Sequence, residues 1–421
     1  MKRAVLLMLI TTINIVAVFI YQWYVLVSVG AGSQSDALFA SMVLPQLILN
    51  VVSGSLSFVL VPMLSTINDS CFDRLLASFL SAFGLVFVVV ALLLFLTANF
   101  WVPLTVPGFS AALKMHTTHL LRIQLIGMVF TGTGAVTTAA YQARHRFTYP
   151  VFASSCASIV ALIFLLIALP RFGVVAAAWG LSLRSFLHFV FQIPIALPLT
   201  RPGFRDATFR DGLAKLVPLV LGTTYYKTDQ LVDRLLASMA PVGILSLLHL
   251  SQQIYAAGSQ VIGTAIVAPT VPVQALNYSR GNYQCFRRKL IRTLRILISV
   301  GCIVVCGMAF PGYYVLKVVF GHGMFDTSEV HILWLLLLAF SAYWITGLTG
   351  QILAVSFYGM TDTRTPTKVG TIGFTLGVGL KILGFFTLGV WGIAIGSGLY
   401  NIFNSVVMFL ILRRRLNLQS E

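Results

Sequence analysis

The chain has 421 residues, of which 58% are hydrophobic and 9% are charged, and its mean hydropathy is +0.93. This composition excludes an ordinary soluble domain and indicates a polytopic membrane protein. The net charge of +17 does not indicate nucleic-acid binding, because the basic residues lie in short loops beside apolar segments, where anionic headgroups account for them. The five cysteines predict no metal site: Cys302 and Cys306 share a face of the ninth predicted span, but two thiols with no His or carboxylate nearby favour packing.

Apolar stretches recur along the whole chain, and each is long enough to cross about 30 Å of hydrocarbon. Every backbone amide in such a stretch must be satisfied internally, so the sequence predicts an all-α protein with about 12 transmembrane helices. The predicted spans are 5–29, 37–63, 75–97, 117–141, 149–169, 173–198, 214–239, 243–275, 294–316, 329–357, 367–389 and 392–412.

The second half of the chain repeats the first at an offset of about 210 to 217 residues. The segment 172–174 reappears as 388–390, and Cys71-Phe72 reappears as Cys285-Phe286. This pattern predicts two parallel six-helix repeats around a central cavity, as in secondary transporters. The predicted parts are an N-terminal lobe, a cytoplasmic linker and a C-terminal lobe, at 1–199, 200–215 and 216–421.

Most of the 28 Lys and Arg residues lie in loops on one side of this topology. The positive-inside rule then predicts a multi-pass protein of the bacterial inner membrane with both termini in the cytoplasm. Lys2 and Arg3 precede a span that is too long for a signal peptide, so no cleaved signal is expected. The basic segment that contains residues 287–289 is predicted to face lipid headgroups.

Arg184 lies near the middle of the sixth predicted span, where a charge is costly and usually has a function. One interpretation is structural, with the guanidinium capping a carbonyl or pairing with an acid inside its lobe. The other is that Arg184 faces the central cavity and binds an anionic substrate. The first half of the chain offers no acidic partner at comparable depth, which favours the second interpretation.

The seventh predicted span carries both signs of charge, at Lys227, Asp229, Asp233 and Arg234. On a continuous helix the two cations share one stripe and the two carboxylates share the adjacent stripe. A structural ion-pair network is one interpretation. In the other, Lys227 or Arg234 holds an anion while an aspartate exchanges H⁺ or Na⁺, since neighbouring carboxylates raise one pKa. No cofactor is expected beyond such a coupling ion.

Further candidates for lining the cavity are Asn50 in the second span, Gln252 and Gln253 in the eighth, and Lys381 in the eleventh. Amides suit the hydroxyl groups of a sugar, although hydrogen bonding between helices is an equally common role for them. The second and eighth spans are interrupted by Gly and Pro, so both are predicted to bend beside a central site. The chain has no phosphate-binding glycine loop with its Lys and no HExxH motif, which indicates a carrier and not an enzyme.

Four segments resemble motifs of the MurJ/MviN family, and they occur in that family's order. Gly30, Gly32 and Asp36 lie in the first, which continues to Pro45. The second and third are Val232–Ser238 and Phe320–Phe325. The last contains Asp362, Arg364 and Pro366.

The resemblance implies the fold of the multidrug/oligosaccharidyl-lipid/polysaccharide exporter superfamily, whose MurJ branch flips lipid II. The implied partners are a polyprenyl-diphosphate-linked glycan, membrane lipids and envelope glycan synthesis enzymes, with no nucleic acid. The sequence departs from the family's lipid II flippases at 20–22, 47–50 and 250–253, where arginines are absent. Those flippases also have two helices beyond the twelve predicted here.

The sequence therefore predicts a flippase that moves a polyprenyl-diphosphate-linked saccharide, lipid II or a related envelope precursor, by alternating access. An alternative within this class is a flippase for a surface-polysaccharide repeat unit. A drug or cation antiporter of the same superfamily is a second alternative, although a cation-rich cavity would repel cationic drugs. A membrane scaffold that does not transport is a third, and it predicts that the charges within the spans are dispensable.

Overall fold

The computed structural model describes residues 2–197, 200–360, 362 and 364–418, and within this part it contains helices and no strand. These residues form two compact units, Met1–Gly243 and Ile244–Glu421. A few residues inside helices have side chains that lie outside the description: 2–5, 54, 58, 69–70, 221, 223, 264–265, 268–269, 271–273, 275 and 417–418.

The first unit is built around α5, which packs against α3, α4 and α7 and buries most of its length. Helix α1 packs on α6, and α8 packs on α3. The helices of this unit are α1 (Lys2–Val29), α2 (Ser33–Ser41), α3 (Val43–Ser65), α4 (Asp69–Thr105), α5 (Ala111–Ala143), α6 (Thr148–Phe172), α7 (Val174–Gln192), α8 (Ala207–Lys227) and α9 (Asp229–Ala237).

The second unit contains α10 (Ile244–Ile262), α11 (Ala268–Ser279), α12 (Tyr283–Ala309), α13 (Gly312–Phe320), α14 (Thr327–Ala339), α15 (Ser341–Gly359), α16 (Arg364–Leu388) and α17 (Val390–Leu418). A π-helical turn, Gly263–Val267, separates α10 from α11. Helices α16 and α17 form a close hairpin. A Cβ on Gly392 would lie 2.0 Å from the backbone of Gly384, so this crossing requires glycine.

In the part of the chain that is described, nine helices are long and apolar enough to cross a membrane, or ten if α14 and α15 form one broken span. The protein is therefore a polytopic helical membrane protein. The count is lower than about twelve because the seventh and eighth predicted spans, 214–239 and 243–275, are helical but polar. Four charges lie within α8, and α10 contains His249, Gln252 and Gln253.

The division between the compact units falls after Gly243, whereas the predicted linker is 200–215. Helix α8 belongs to the first unit because it packs on α3 and α4, with the rings of Phe79 and Phe209 4.9 Å apart. The assignment of six helices to each lobe stays a prediction.

Candidate functional site

The seventh predicted span is interrupted at Thr228, between α8 and α9. Lys227 is the last residue of α8, and its Nζ donates a 2.8 Å hydrogen bond to the backbone carbonyl of Asn50 in α3. The Lys227 side chain is half-buried, and Asn50 is exposed. The structure therefore brings together two of the predicted site residues, at the break in a helix.

This arrangement leaves the ammonium able to bind an anion. A lysine ammonium carries three donors, and the carbonyl of Asn50 accepts one of them. No carboxylate in the described part lies within ion-pair distance of Lys227. The carbonyl thus orients the cation without neutralising its charge.

Arg184 in α7 points into a polar cluster shared with α6 and α1. Its Nε donates a 2.8 Å hydrogen bond to the Ser158 hydroxyl, which in turn donates 2.8 Å to Oδ1 of Asn14. Among the described residues Arg184 forms no ion pair. The guanidinium is therefore held by neutral groups, and no described carboxylate neutralises its positive charge.

Two residues of α1 that the sequence analysis did not select complete this cluster. Asn14 accepts from Ser158 and, at 3.3 Å, from Ser154. Tyr21 donates a 2.6 Å hydrogen bond to the carbonyl of Ala177, and its hydroxyl occupies the space beside Gly180. An asparagine at membrane depth is the signal that could have identified Asn14.

A second polar network lies one turn further along α7. The side chains of His188 and Gln192 meet at 2.6 Å, and Gln192 accepts 2.9 Å hydrogen bonds from Thr137 and Thr138 of α5. Gln192 is fully buried. This network fixes α7 against α5, which supports the position of Arg184.

Arg234 lies in a different environment from Lys227. Its side chain is 4% exposed and interacts electrostatically with Asp233 and with Asp36 of α2. Asp233 is 3% exposed and Asp36 is 2% exposed. Oδ2 of Asp36 also accepts a 2.7 Å hydrogen bond from the backbone N–H of Gly243. These three charges form a buried cluster, whereas Asp229, at the start of α9, is only half-buried.

The first family-like motif forms the junction that positions Asp36. Gly30 has a φ of 80°, which favours glycine, and the Ser35 hydroxyl donates 2.9 Å to the carbonyl of Gly30. Gly32 caps α2, and its N–H donates 2.9 Å to Ser35. Pro45 is buried in the first turn of α3. Gly30, Gly32 and Ser35 thus shape the turn between α1 and α2.

The remaining predicted site residues lie in the second unit. Gln252 and Gln253 are half-buried on α10, one turn from Tyr255, whose carbonyl accepts a 3.0 Å hydrogen bond from Trp344. Lys381 is fully buried against α17, with its Nζ 5.4 Å from the ring centroid of Tyr400. The ammonium of Lys381 is therefore inaccessible in this structure.

Asp362 holds the start of α16 to α17. It accepts 2.6 Å hydrogen bonds from Nη1 of Arg415 and from the Thr365 hydroxyl, and a 3.0 Å bond from the N–H of Arg364. Burial raises the pKa of Asp362, but the hydrogen bonds from Thr365 and Arg415 outweigh it and lower that pKa to about 2. Pro366 is buried and Arg364 is exposed. These contacts hold the start of α16 against α17 within the second unit.

Within the described part of the chain, no group of three or more His, Cys, Asp or Glu side chains could hold a metal ion. Among the described residues, Lys227 and Arg184 are predicted site cations that form no ion pair. The fold defines a polytopic helical membrane protein. Two solved structures share this fold: a lipid II flippase MurJ in an inward closed conformation, and a MATE-family multidrug transporter in an inward-facing conformation.

The MurJ structure has a TM-score of 0.85 and 18% identity, and the match covers 97% of this chain and 87% of that one. The MATE structure has a TM-score of 0.80 and 15% identity, with 99% of both chains covered. The chain belongs to the family described as lipid II flippase MurJ, whose family model matches residues 27–421.

Curated relatives agree with this assignment. A probable lipid II flippase MurJ of Vibrio cholerae is 23% identical over 240 residues, which are 56% of this chain and 46% of that protein. A probable lipid II flippase MurJ of Haemophilus influenzae is 26% identical, over 56% of this chain and 48% of that protein. The chain thus spans about half the length of these two relatives. One from Buchnera aphidicola is 22% identical over 99% of this chain and 83% of its own length.

Proposed function

We propose that the chain is a flippase for a polyprenyl-diphosphate-linked saccharide, lipid II or a related envelope precursor, and that it works by alternating access in the bacterial inner membrane. In this proposal it is a transporter and not an enzyme. Family membership over residues 27–421 supports the proposal. The observation that carries it is the hydrogen bond from the Lys227 ammonium to the carbonyl of Asn50, beside a broken helix. Among the described residues, this ammonium has no carboxylate partner.

The diphosphate is the part of the substrate that this lysine suits. A charge-assisted hydrogen bond to phosphate is about twice as strong as a neutral one, and the attraction grows where water is excluded. The side chain of Asn50, on α3, is exposed and can bond to sugar hydroxyls. In this proposal Lys227 binds the diphosphate, Asn50 binds the saccharide, and the lipid chain stays in the bilayer.

Arg184 supplies the second cation of the proposal. Its Nε is engaged by Ser158, which leaves the other guanidinium nitrogens for an anion. Arg234 has a structural role instead, because it is 4% exposed and interacts with Asp36 and Asp233. Of the two aspartates considered for ion coupling, Asp229 is the better candidate, since Asp233 is 3% exposed and belongs to the buried cluster.

The orientation is also part of the proposal. Basic residues concentrate in the predicted cytoplasmic loops, which supports placing both termini in the cytoplasm. The substrate would then enter from the leaflet where lipid-linked precursors are assembled. Envelope glycan synthesis enzymes are the expected partners.

Depletion of the protein tests this function and identifies the saccharide. The proposal predicts that a lipid-linked glycan accumulates on the cytoplasmic leaflet. Accumulated lipid II with lysis would assign lipid II, whereas another polyprenyl-linked oligosaccharide in viable cells would assign a surface polysaccharide. If no such intermediate accumulates, the proposal is wrong, and altered drug resistance would then favour an antiporter.

A further inference from the structure

A groove runs along the second unit between α12, α15 and α17. Its cavity has a volume of about 500 Å³. The wall is mostly apolar, with Ile291, Ile298, Ile345, Leu353, Val406 and Phe409 among the lining residues, and it also contains Arg295, Thr346, Thr349 and Ser405. Ile298 is 45% exposed and Val406 is 50% exposed, so the groove is open along its side.

One end of the groove is basic. A smaller cavity of about 160 Å³ shares Ile291 and Phe409 with the apolar groove and is lined by Arg287 of α12 and Arg413 of α17. Both arginines are exposed. The two cavities therefore form one continuous feature with a cationic end and an apolar body.

The dimensions match one leaflet of a membrane. Arg287 and Ile298 are eleven residues apart on one helix, which corresponds to about 16 Å. Half of a bilayer's hydrocarbon core is about 15 Å thick. A lipid with its phosphate at Arg287 would thus have its acyl chain beside Ile298.

We propose that this groove is a binding site for an anionic glycerophospholipid of the surrounding bilayer. Arg287 and Arg413 hold the headgroup phosphate, and one acyl chain lies along α12 on Ile291 and Ile298. The choice of occupant rests on charge complementarity. Two arginines line one small cavity, and arginine can bind phosphate through two parallel hydrogen bonds. A zwitterionic lipid would gain less, because its own cation would be repelled there. This site does not depend on transport.

Native mass spectrometry of the purified full-length chain tests the site. The chain is titrated in mild detergent with phosphatidylglycerol or with phosphatidylcholine of the same acyl chains. The proposal predicts that one phosphatidylglycerol is retained in preference to phosphatidylcholine. The double variant Arg287→Gln/Arg413→Gln should weaken that retention by about tenfold or more.

The matched control is Arg288→Gln/Arg414→Gln, which removes the same charge from exposed positions of the same two helices. It should retain phosphatidylglycerol as the wild type does. Equal loss in both double variants, or equal retention of the two lipids by the wild type, would contradict the proposal.

A second pair of variants tests the apolar body and does not depend on the arginines. Ile298→Trp fills the groove and should abolish the preference for phosphatidylglycerol. Ile303→Trp alters a position on the same helix that is 69% exposed and outside the groove, and it should have no effect. Unchanged retention in Ile298→Trp would overturn the site.

Competition with polyprenyl phosphate identifies the occupant. If polyprenyl phosphate displaces phosphatidylglycerol at lower concentration, the groove holds the carried lipid instead.

Discussion

Lys227 and Asn50 are joined through a backbone carbonyl, not through the asparagine side chain, with Nζ 2.8 Å from the oxygen. A substitution of Asn50 therefore leaves the contact that orients the lysine in place. This separates two roles that would otherwise be confounded, namely holding α8 against α3 and binding substrate. The two side chains can accordingly be tested independently.

Lys227→Gln should lower transport by about tenfold or more, since it removes a charge-assisted interaction with the diphosphate. The measurement is complementation of a depleted strain, with membrane abundance determined in parallel. Lys215→Gln is the control, because Lys215 lies on the same helix and pairs with Asp211 at 2.6 Å. Normal complementation by Lys227→Gln would remove this lysine from the site.

Asn50→Ala should lower transport by about fivefold, the effect of one neutral hydrogen bond of about 1 kcal/mol to the saccharide. Thermal stability should not change, because the carbonyl that holds Lys227 is retained. The check is transport measured together with the melting temperature of the purified protein. A loss of stability with no effect on transport would assign Asn50 a structural role.

Arg184→Ala should abolish transport at normal membrane abundance, and Arg184→Lys should restore part of it, because the charge is kept. Ser158→Ala removes the acceptor of Nε and should cause a smaller loss, of about fivefold. Arg171→Ala, at an exposed end of α6, is the control. Full activity of Arg184→Ala would contradict a role in substrate binding.

Arg234→Met should destabilise the first unit by about 3–5 kcal/mol, because it leaves the buried carboxylates of Asp36 and Asp233 without their cation. Thermal unfolding in detergent measures this loss. The double variant Arg234→Met/Asp36→Asn should recover part of it. A stable Arg234→Met protein that does not transport would instead indicate that Arg234 binds substrate.

The Asp362–Arg415 pair should contribute to stability without pH dependence in the physiological range. The pKa of Asp362 is lowered to about 2, so its contribution is complete above the unfolded value of about 3.9 and is lost as the pH falls through about 2. A double-mutant cycle with Asp362→Asn and Arg415→Gln should give about 1 kcal/mol, because Arg415 is 42% exposed. A coupling energy that changes between pH 5 and 8 would contradict this assignment.

The seventh span shows both the reach and the limit of prediction from the sequence. Its charges identified Lys227 and Arg234 as residues of interest. The structure places Lys227 at the end of α8 and Arg234 in α9. A continuous helix would have placed the two cations on one stripe. Because the helix breaks at Thr228, Lys227 instead donates a hydrogen bond to the carbonyl of Asn50, and Arg234 interacts electrostatically with Asp36. Helical periodicity could not give this result, because the result depends on contacts with residues 177 and 198 positions away along the chain.

The polytopic helical fold and the family were predictable because apolar length and motif order carry that information locally. The structural roles of the individual motif residues were not predictable from the sequence. Asp36 and Asp362 were recognised only as parts of motifs, whereas the structure shows Asp36 binding Gly243 and Asp362 binding Arg415. Likewise, the sequence did not reveal that close packing of α16 on α17 buries Lys381, whose place in the cavity stays a prediction. Burial of a single polar side chain depends on its tertiary neighbours, which the hydropathy of a span does not reveal.

The most direct test of the account is transbilayer exchange by the purified full-length chain in proteoliposomes. A polyprenyl-diphosphate-linked disaccharide is incorporated into both leaflets, and the fraction accessible to a sugar-modifying enzyme outside is followed over time. The proposed function predicts that the wild type makes the whole pool accessible and that Lys227→Gln exposes the inner half about tenfold or more slowly. Protection of the inner half in wild-type proteoliposomes, as in protein-free vesicles, would contradict it.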